Sequence, residues 1–491
     1  MKICRRRFGA CVLGAFASRG WSAPNRPKLT VLVIAEQLRA DALEAAWPQF
    51  GPGGFRRLAE KAAWFTECHQ LSSTFSSTCL TNLATGTWPA QHGIVADSWW
   101  DYAAHTPVHA SDEALLATTL VAQACEAANR VTVVAPTRAQ GALFAGTEKA
   151  RLFFLDDRGQ FTCTGLAPDW LEEHNRAKGS EGARDATWMA LNAAADAPPL
   201  RTLRYDPNHP QEFLALYKAS PYGQGATFDM AAELVARDRM GLGNSPDLLC
   251  VIDGSAALLG YEIGGGARAP LMNQMVLHLD RRIESFWNQL TKVVGENGFN
   301  LVVTAAHGVP LEPVPETRSR MAVSGEAVAQ VVDKALRNTG RHLEKYVYPF
   351  LYLDRAATSG GAETVRRLAA DAAFAHPAVA GYYTAGGGCS ENDAWRKRFE
   401  NSFHAKRSGD VMLSYRPEYV EDYSRGRGIS YGSLYNYEAH VPLFLYGPQF
   451  RSAVLDNTVE AIDVAPTLAR IMGIAEPSSS IGRVLSEAFA V

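Results

Sequence analysis

The sequence predicts an α/β protein, a three-layer sandwich around a mostly parallel sheet with a smaller inserted cap region. Three observations lead there. Short, almost unbroken apolar runs occur at Leu29–Ala35, Arg130–Ala135, Leu248–Ile252, Asn300–Thr304 and Val441–Tyr446; strands buried on both faces read this way. Helical patterns alternate with these runs. The clearest extends from Pro270 to Asn297, where Met272, Met275, Leu279, Ile283, Phe286, Leu290 and Val294 recur at helical spacing as a core stripe. Finally, polar residues stand at the ends of the runs: Glu36 after the first, Asp253 after Leu248–Ile252, His307 after Asn300–Thr304 and His440 just before Val441. Ligands of open α/β sheets bind beyond the carboxyl ends of the strands.

Taken from its start, the chain opens on a leader. Met1 to about Ala23 has a basic head (Lys2, Arg5, Arg6, Arg7), an apolar run from Phe8 to Ala17 and small residues near Gly20 and Ala23. This reads as a secretory signal, by the Sec or the twin-arginine route, so the protein is expected to be exported to the periplasm or beyond. The apolar run is too short to span a bilayer, and no later stretch has eighteen uncharged apolar residues. Cys4 and Cys11 leave with the leader; Cys68, Cys79, Cys125, Cys163, Cys250 and Cys389 remain, scattered, with no C-x-x-C pair. That spacing argues against a zinc knuckle and leaves disulfides and free thiols equally open.

The remaining residues, about 470 with 47% hydrophobic and 20% charged over the whole chain, suit a large core. The formal charge of −3 becomes −8 once the leader's five basic residues are removed, since it contains no acid. A nucleic-acid binder needs a concentrated basic face, and none is present. The core is expected over residues 24–308 and again over 436–491, with a less regular insertion over 309–435. Glu460–Ile474 reads as a closing helix packed on the core.

The stretch Leu71–Gly93, LSSTFSSTCLTNLATGTWPAQHG, carries the chemistry. Its hydroxyl residues precede a short helix that should stop at Gly86, with Pro89 forbidding a restart. A hydroxyl in the first turn of a helix lies beside unpaired N–H groups that favour an anion, the setting of a phosphate-attacking Ser or Thr. Serines are also ordinary helix caps.

The pattern TG-x-x-P-x-x-HGI (Thr85, Gly86, Pro89, His92, Gly93, Ile94) resembles the alkaline phosphatase superfamily. Its nearest branch is the type I phosphodiesterase/nucleotide pyrophosphatases, with the bacterial phosphate-irrepressible alkaline phosphatases. Further family signatures follow in order: SPYG at Ser220–Gly223, KRSGDV at Lys406–Val411, YGS at Tyr431–Ser433 and HVPLFLYGP from His440. The resemblance implies an alkaline-phosphatase-like fold and a two-zinc phosphoric ester hydrolase. It places the nucleophile ten residues before the Gly of the TG pair, at Ser76. It places one zinc on the carboxylate after the first strand (here Glu36), the nucleophile and an Asp-His pair (here Ala306-His307). The other falls on a D-x-x-G-H motif (here Ala257 to Tyr261) and a late His (His440).

Three ligand positions, Ala257, Tyr261 and Ala306, therefore lack the family's donors. Glu36, His307 and His440 are remnants. The family's phosphate-clamping Lys and Arg correspond to Thr137 and Ala139, with Arg138 between them expected to point elsewhere. Its phosphate-contacting Asn corresponds to Asp97, a carboxylate that would repel phosphate.

The expected cofactor, zinc by resemblance, reduces to none or one weakly bound divalent metal. The leading expectation is a pseudo-hydrolase with a binding role toward a small anionic or phosphate-containing ligand. The alternative is an active phosphate mono- or diester hydrolase with a rearranged single-metal or metal-free serine centre, in which Asp253, Glu262 or Asp97 replaces a lost carboxylate. Tyr261 is expected to fill the space of the lost ligands. A sulfatase would need C-x-P-x-R, and Cys79 is followed by Leu-Thr-Asn-Leu. A phosphoglycerate mutase of this fold would keep its full metal set. No G-x-G-x-x-G follows the first strand, which removes a nucleotide-fold oxidoreductase.

Overall fold

In a computed structural model of the chain, the described residues are 26–194, 196–263, 266–310, 322–323, 325–354, 361–390, 393–417, 420–421 and 431–490. The leader expected over residues 1–23 lies outside them. All five apolar runs are strands of one sheet, at Leu29–Ala35, Arg130–Ala135, Asp247–Asp253, Phe299–Ala305 and His440–Tyr446. Every residue of the strands at Leu29, Asp247 and Phe299 is buried. Because successive side chains point to opposite faces, this requires cover on both sides of the sheet.

The Leu29 strand is central, parallel to Asp247–Asp253 on one side and to Phe299–Ala305 on the other. Beyond Asp247 the parallel order continues through Arg130–Ala135 and Arg151–Leu155. Beyond Phe299 the direction reverses at His440–Tyr446, which pairs antiparallel with Ala63–His69. The long helix spans Pro270–Val294 and ends at Gly295, whose φ of 81° lies in the left-handed region that favours glycine. Its stripe from Met272 to Leu290 is buried, with Val294 at the margin.

The stretch expected to be less regular contains a four-stranded antiparallel sheet, Leu343–Val347, Phe350–Leu353, Val411–Tyr415 and Val379–Thr384, with helices at Gly325–Arg337, Ala362–Phe374 and Asp393–Ser402. Its strands are short and its sheet partners are separated in the chain by helices, so the pairing is not visible in the local sequence pattern. It has a second hydrophobic core, around Phe350, Tyr352, Val411 and Phe399, which also takes in Phe75, Ile94 and Trp99. The segments entering and leaving the Ser76 helix are thus anchored in this second core. Polar ties add to it: Asn401 Nδ2 donates to the Leu71 carbonyl at 2.6 Å, and Ser73 N–H donates to Ser402 Oγ at 2.7 Å.

The Ser76 helix runs from Ser76 to Thr85 and closes on Gly86 at φ 68°. Pro89, expected to forbid a restart, instead begins a short helix, Pro89–His92. At the first helical position its missing N–H costs nothing and its φ is already helical. The motif histidine, His92, is structural: Ile94 N–H donates to its Nδ1, so its proton sits on Nε2, which donates to Asn82 Oδ1 at 2.9 Å. Burial lowers its pKa to about 3. The closing segment is a short 3₁₀ turn, Ala461–Asp463, followed by the helix Val464–Met472.

Gly86 sets where the Ser76 helix ends. A Cβ there would lie 2.5 Å from Ser480 Oγ and 3.2 Å from the Ile462 carbonyl, on backbone already at positive φ. Gly86→Ala is expected to cost about 1–3 kcal/mol, readable by urea unfolding; an unchanged midpoint would contradict this role.

Candidate active site

Glu36 leaves the carboxyl end of the central strand and is buried. Ser76 is the first residue of its helix, and the preceding cap residue, Phe75, makes no side-chain cap bond. The Ser76 hydroxyl is therefore not used as a cap. It donates to Glu36 Oε1. Gln140 Nε2 reaches both oxygens of the same carboxyl at 3.3 Å. Burial pushes the Glu36 pKa up to about 7, and the charges of Asp97 and Asp253 add to it. The bonds from Ser76 and Gln140 oppose this rise. Desolvation wins because two neutral donors do not replace the water a carboxylate loses.

The open end of the Ser76 helix is taken by Asp97, whose Oδ1 accepts the Ser77 N–H at 3.0 Å. Asp97 also accepts the Tyr431 hydroxyl; its charge, then burial, then Glu36 hold that phenol well above its ordinary pKa. The Tyr431 ring stacks on His307, with centroids 5.1 Å apart. His307 Nδ1–H donates to the Gly308 carbonyl at 2.7 Å, leaving Nε2 buried and without a partner among the described residues. Burial lowers the His307 pKa, so the ring is a neutral base, although the Gly308 bond and the Asp97 charge work the other way.

Asp253 is the last residue of its strand rather than the residue after it. It accepts from Gln224 Nε2 at 2.8 Å and Ser255 N–H at 3.1 Å, and burial raises its pKa. It acts on Glu36 through charge. Thr137 caps the helix Arg138–Ala145, accepting from Gln140 N–H. Thr137, Arg138 and Ala139 are all exposed, and Arg138 faces a separate cleft with Ser111, Glu113 and Thr147.

Ala306 is fully buried and carries no donor. Ala257 lies in the helix Ser255–Ile263. Tyr261, expected to fill the vacated space, is 49% exposed instead. It forms one wall of a cleft of about 470 Å³ shared with Phe75, Asp97, Tyr348 and Tyr431. A phenol keeps its polar end wet when it can. The Glu262 side chain lies outside the described residues.

His440 does not join this cluster through any described bond. It is the first residue of its strand, directly across from His69, on which it stacks at 4.7 Å. Its Nε2–H donates to the Thr66 carbonyl at 2.7 Å.

Gln140, Tyr431 and Gln224 are the site residues that sequence reasoning missed. The pattern Thr137-x-x-Gln140 is a helix-start signature that marked Gln140, and Tyr431 opens the YGS signature. Gln224 directly follows SPYG.

The comparisons with known proteins decide the family. The model of the type I phosphodiesterase/nucleotide pyrophosphatase family matches residues 30–432. The chain belongs to this family.

Within the alkaline phosphatase superfamily, this phosphodiesterase-family chain is 24% identical to alkaline phosphatase PafA of Elizabethkingia meningoseptica, over 97% of each chain. It is 23% identical to alkaline phosphatase PhoV of Synechococcus elongatus, over 94% of this chain and 93% of that one. The crystal structure of wild-type PafA superposes with a TM-score of 0.82 at 21% identity, covering 95% of this chain and 100% of that one. Murine ectonucleotide pyrophosphatase/phosphodiesterase 5, solved in complex with AMP, gives 0.57 at 14% identity, covering 94% and 99%. These structural likenesses speak to the fold, a mixed α/β architecture around a large, mostly parallel sheet. Among the described residues, no helix is long and apolar enough to cross a membrane, and the six described cysteines are free thiols.

Proposed function

We propose that this chain is an exported member of the phosphodiesterase family whose centre no longer holds the family's zinc pair, and which serves a binding rather than a hydrolytic role. The observation that carries the reading is the Asp97 carboxylate on the open end of the Ser76 helix. A helix N-terminus attracts an anion, and here the chain supplies its own. A phosphoryl oxygen brought to the same amide would meet Asp97 and, above pH 7, an ionised Glu36.

The donor set supports the same reading. Two zinc ions take about eight ligands. For the family's nucleophile-side ion the described residues offer the Glu36 carboxyl and the Ser76 hydroxyl, bonded to each other, and the Nε2 of His307, which has no partner among the described residues. Ala306 and Ala257 bring nothing, Tyr261 turns to solvent, and His440 stacks on His69, with no described bond to the cluster. This set does not fit a zinc pair. Without Lewis acids or cationic clamps, the charge of a phosphoryl transition state has no counterpart. A negatively charged phosphate is a poor ligand for this end of the cleft, so the anionic ligand expected from the family's chemistry would have to bind away from Asp97.

The test is turnover of aryl phosphate mono- and diesters by the zinc-supplemented mature protein. The expected rate is within about tenfold of the same protein carrying Ser76→Ala, since metal and clamp together supply several powers of ten. A Ser76-dependent rate orders of magnitude above that variant would overturn the proposal.

One observation favours a second reading. The Ser76 hydroxyl already donates to a carboxyl whose pKa of about 7 suits a general base near neutrality. In that case Glu36 takes the Ser76 proton as the oxygen bonds to phosphorus and the ester P–O bond breaks, with no metal involved. It returns that proton to the leaving alcohol oxygen, and then activates a water that frees the phosphoryl group from Ser76. Activity would rise with pH through about 7, and Glu36→Gln would abolish both the activity and its pH dependence.

A further inference from the structure

We propose that Glu67, His69 and His440 form a separate site for one divalent transition-metal ion of the zinc class, outside the cluster around Ser76. His69 ends the strand Ala63–His69, and His440 begins the antiparallel strand beside it. The register sets the two directly opposite each other, and their rings lie face to face, 4.7 Å apart and 17° from parallel. Glu67 stands two residues before His69 and so shares its side of the strand; its Oε2 is 3.1 Å from His69 Nε2. One ligand atom from each residue lies within 4.8 Å of the others. Donors around tetrahedral zinc are about 3.3 Å apart, given bonds of about 2.0–2.1 Å. The stacked rings cannot both point a nitrogen at one ion as they stand, so binding requires the His69 ring to turn about its Cβ–Cγ bond while His440 keeps its bond to Thr66.

The tautomer of His440 is already that of a ligand. The Thr66 carbonyl can only accept, so the proton sits on Nε2 and a neutral ring leaves Nδ1 bare. A second ring nitrogen donating to a backbone carbonyl is the usual orienting bond of metal-binding imidazoles. The described ion pair of Glu67 is with His69 alone, so no Lys or Arg competes for it there. The His69 side chain is 13% exposed and that of Glu67 46%, which admits an ion from solvent and leaves room for water as a fourth ligand. On its other side His69 faces Glu460 in the register, which adds negative charge; Arg398 opposes it. Two imidazoles and a carboxylate suit zinc, copper(II) or nickel(II) better than magnesium or calcium.

The experiment is calorimetric titration of the chelator-stripped, full-length mature protein with Zn²⁺, repeated with Co²⁺ while recording the visible bands of four-coordinate cobalt. One ion per chain is expected, with a Kd of about 10 μM or tighter. Losing a ligand should weaken binding at least as much as losing an outer-shell partner, so His69→Ala should raise Kd by about 10–100-fold or more. Glu67→Gln, at a half-exposed carboxylate, should act in the same direction without disturbing the fold. His307→Ala should leave both stoichiometry and Kd unchanged. No binding tighter than about 1 mM, or a Kd indifferent to both His69→Ala and Glu67→Gln, would overturn the proposal. Binding lost on His307→Ala and retained in His69→Ala would place the ion at Ser76 instead, overturning this site and the metal-poor reading of the centre together.

Discussion

Ala306→Asp is expected to turn a centre that does not retain zinc into one that does. The new carboxylate would join Glu36, Ser76 and the Nε2 of His307, which has no partner among the described residues, giving the four donors a zinc ion takes. Without metal the same change should be harmful. Ala306 is fully buried, and a further carboxylate beside Glu36 and Asp97 should cost about 2–4 kcal/mol. The variant should therefore melt below wild type in chelator and recover in zinc. Its zinc affinity at the centre should exceed wild type by at least about 100-fold. Melting curves with and without zinc, in a His69→Ala background that removes the peripheral site, read both effects. Equal zinc shifts in wild type and variant would count against the donor argument.

The second large effect is on stability against pH. The Glu36 pKa is raised from 4.5 to about 7 in the folded protein. A raised pKa means its contribution is fully present below about pH 4.5, declines as pH climbs, and is lost once pH passes about 7. The span corresponds to roughly 3 kcal/mol. Glu36→Gln keeps an acceptor for the Ser76 hydroxyl and cannot ionise. Relative to wild type, the variant should gain roughly 3 kcal/mol in going from pH 4.5 to pH 8.5. Urea unfolding at the two pH values measures it. A constant difference would mean that Glu36 is not held neutral by burial.

Much of the fold was legible because its strands are covered on both faces. Burial on both sides removes alternation, so Leu29–Ala35 and Arg130–Ala135 could be read to the residue. The inserted sheet was not legible. Its strands are four to six residues long, and partners such as Phe350–Leu353 and Val411–Tyr415 lie about sixty residues apart in the chain.

In the site, Glu36 and Ser76 were anticipated as neighbours, and they are hydrogen-bonded. The part played by Asp97 was only half visible: its charge could be read, but not that it would cap the very helix carrying Ser76. His440 shows the limit of reading along a chain. Its neighbours are set by the register against Ala63–His69, and a strand's register depends on the whole sheet rather than on local pattern. Tyr261 differs for another reason. Bulk suggested a filled pocket, whereas its phenol reaches solvent from the helix Ser255–Ile263.

The most direct measurement is anomalous scattering at the zinc edge from crystals of the mature protein grown or soaked with zinc. No peak is expected within bonding distance of Glu36, Ser76 and His307, whatever is found beside His69 and His440. Two peaks about 4 Å apart over the Ser76 hydroxyl, the spacing of a working metal pair, would contradict the account.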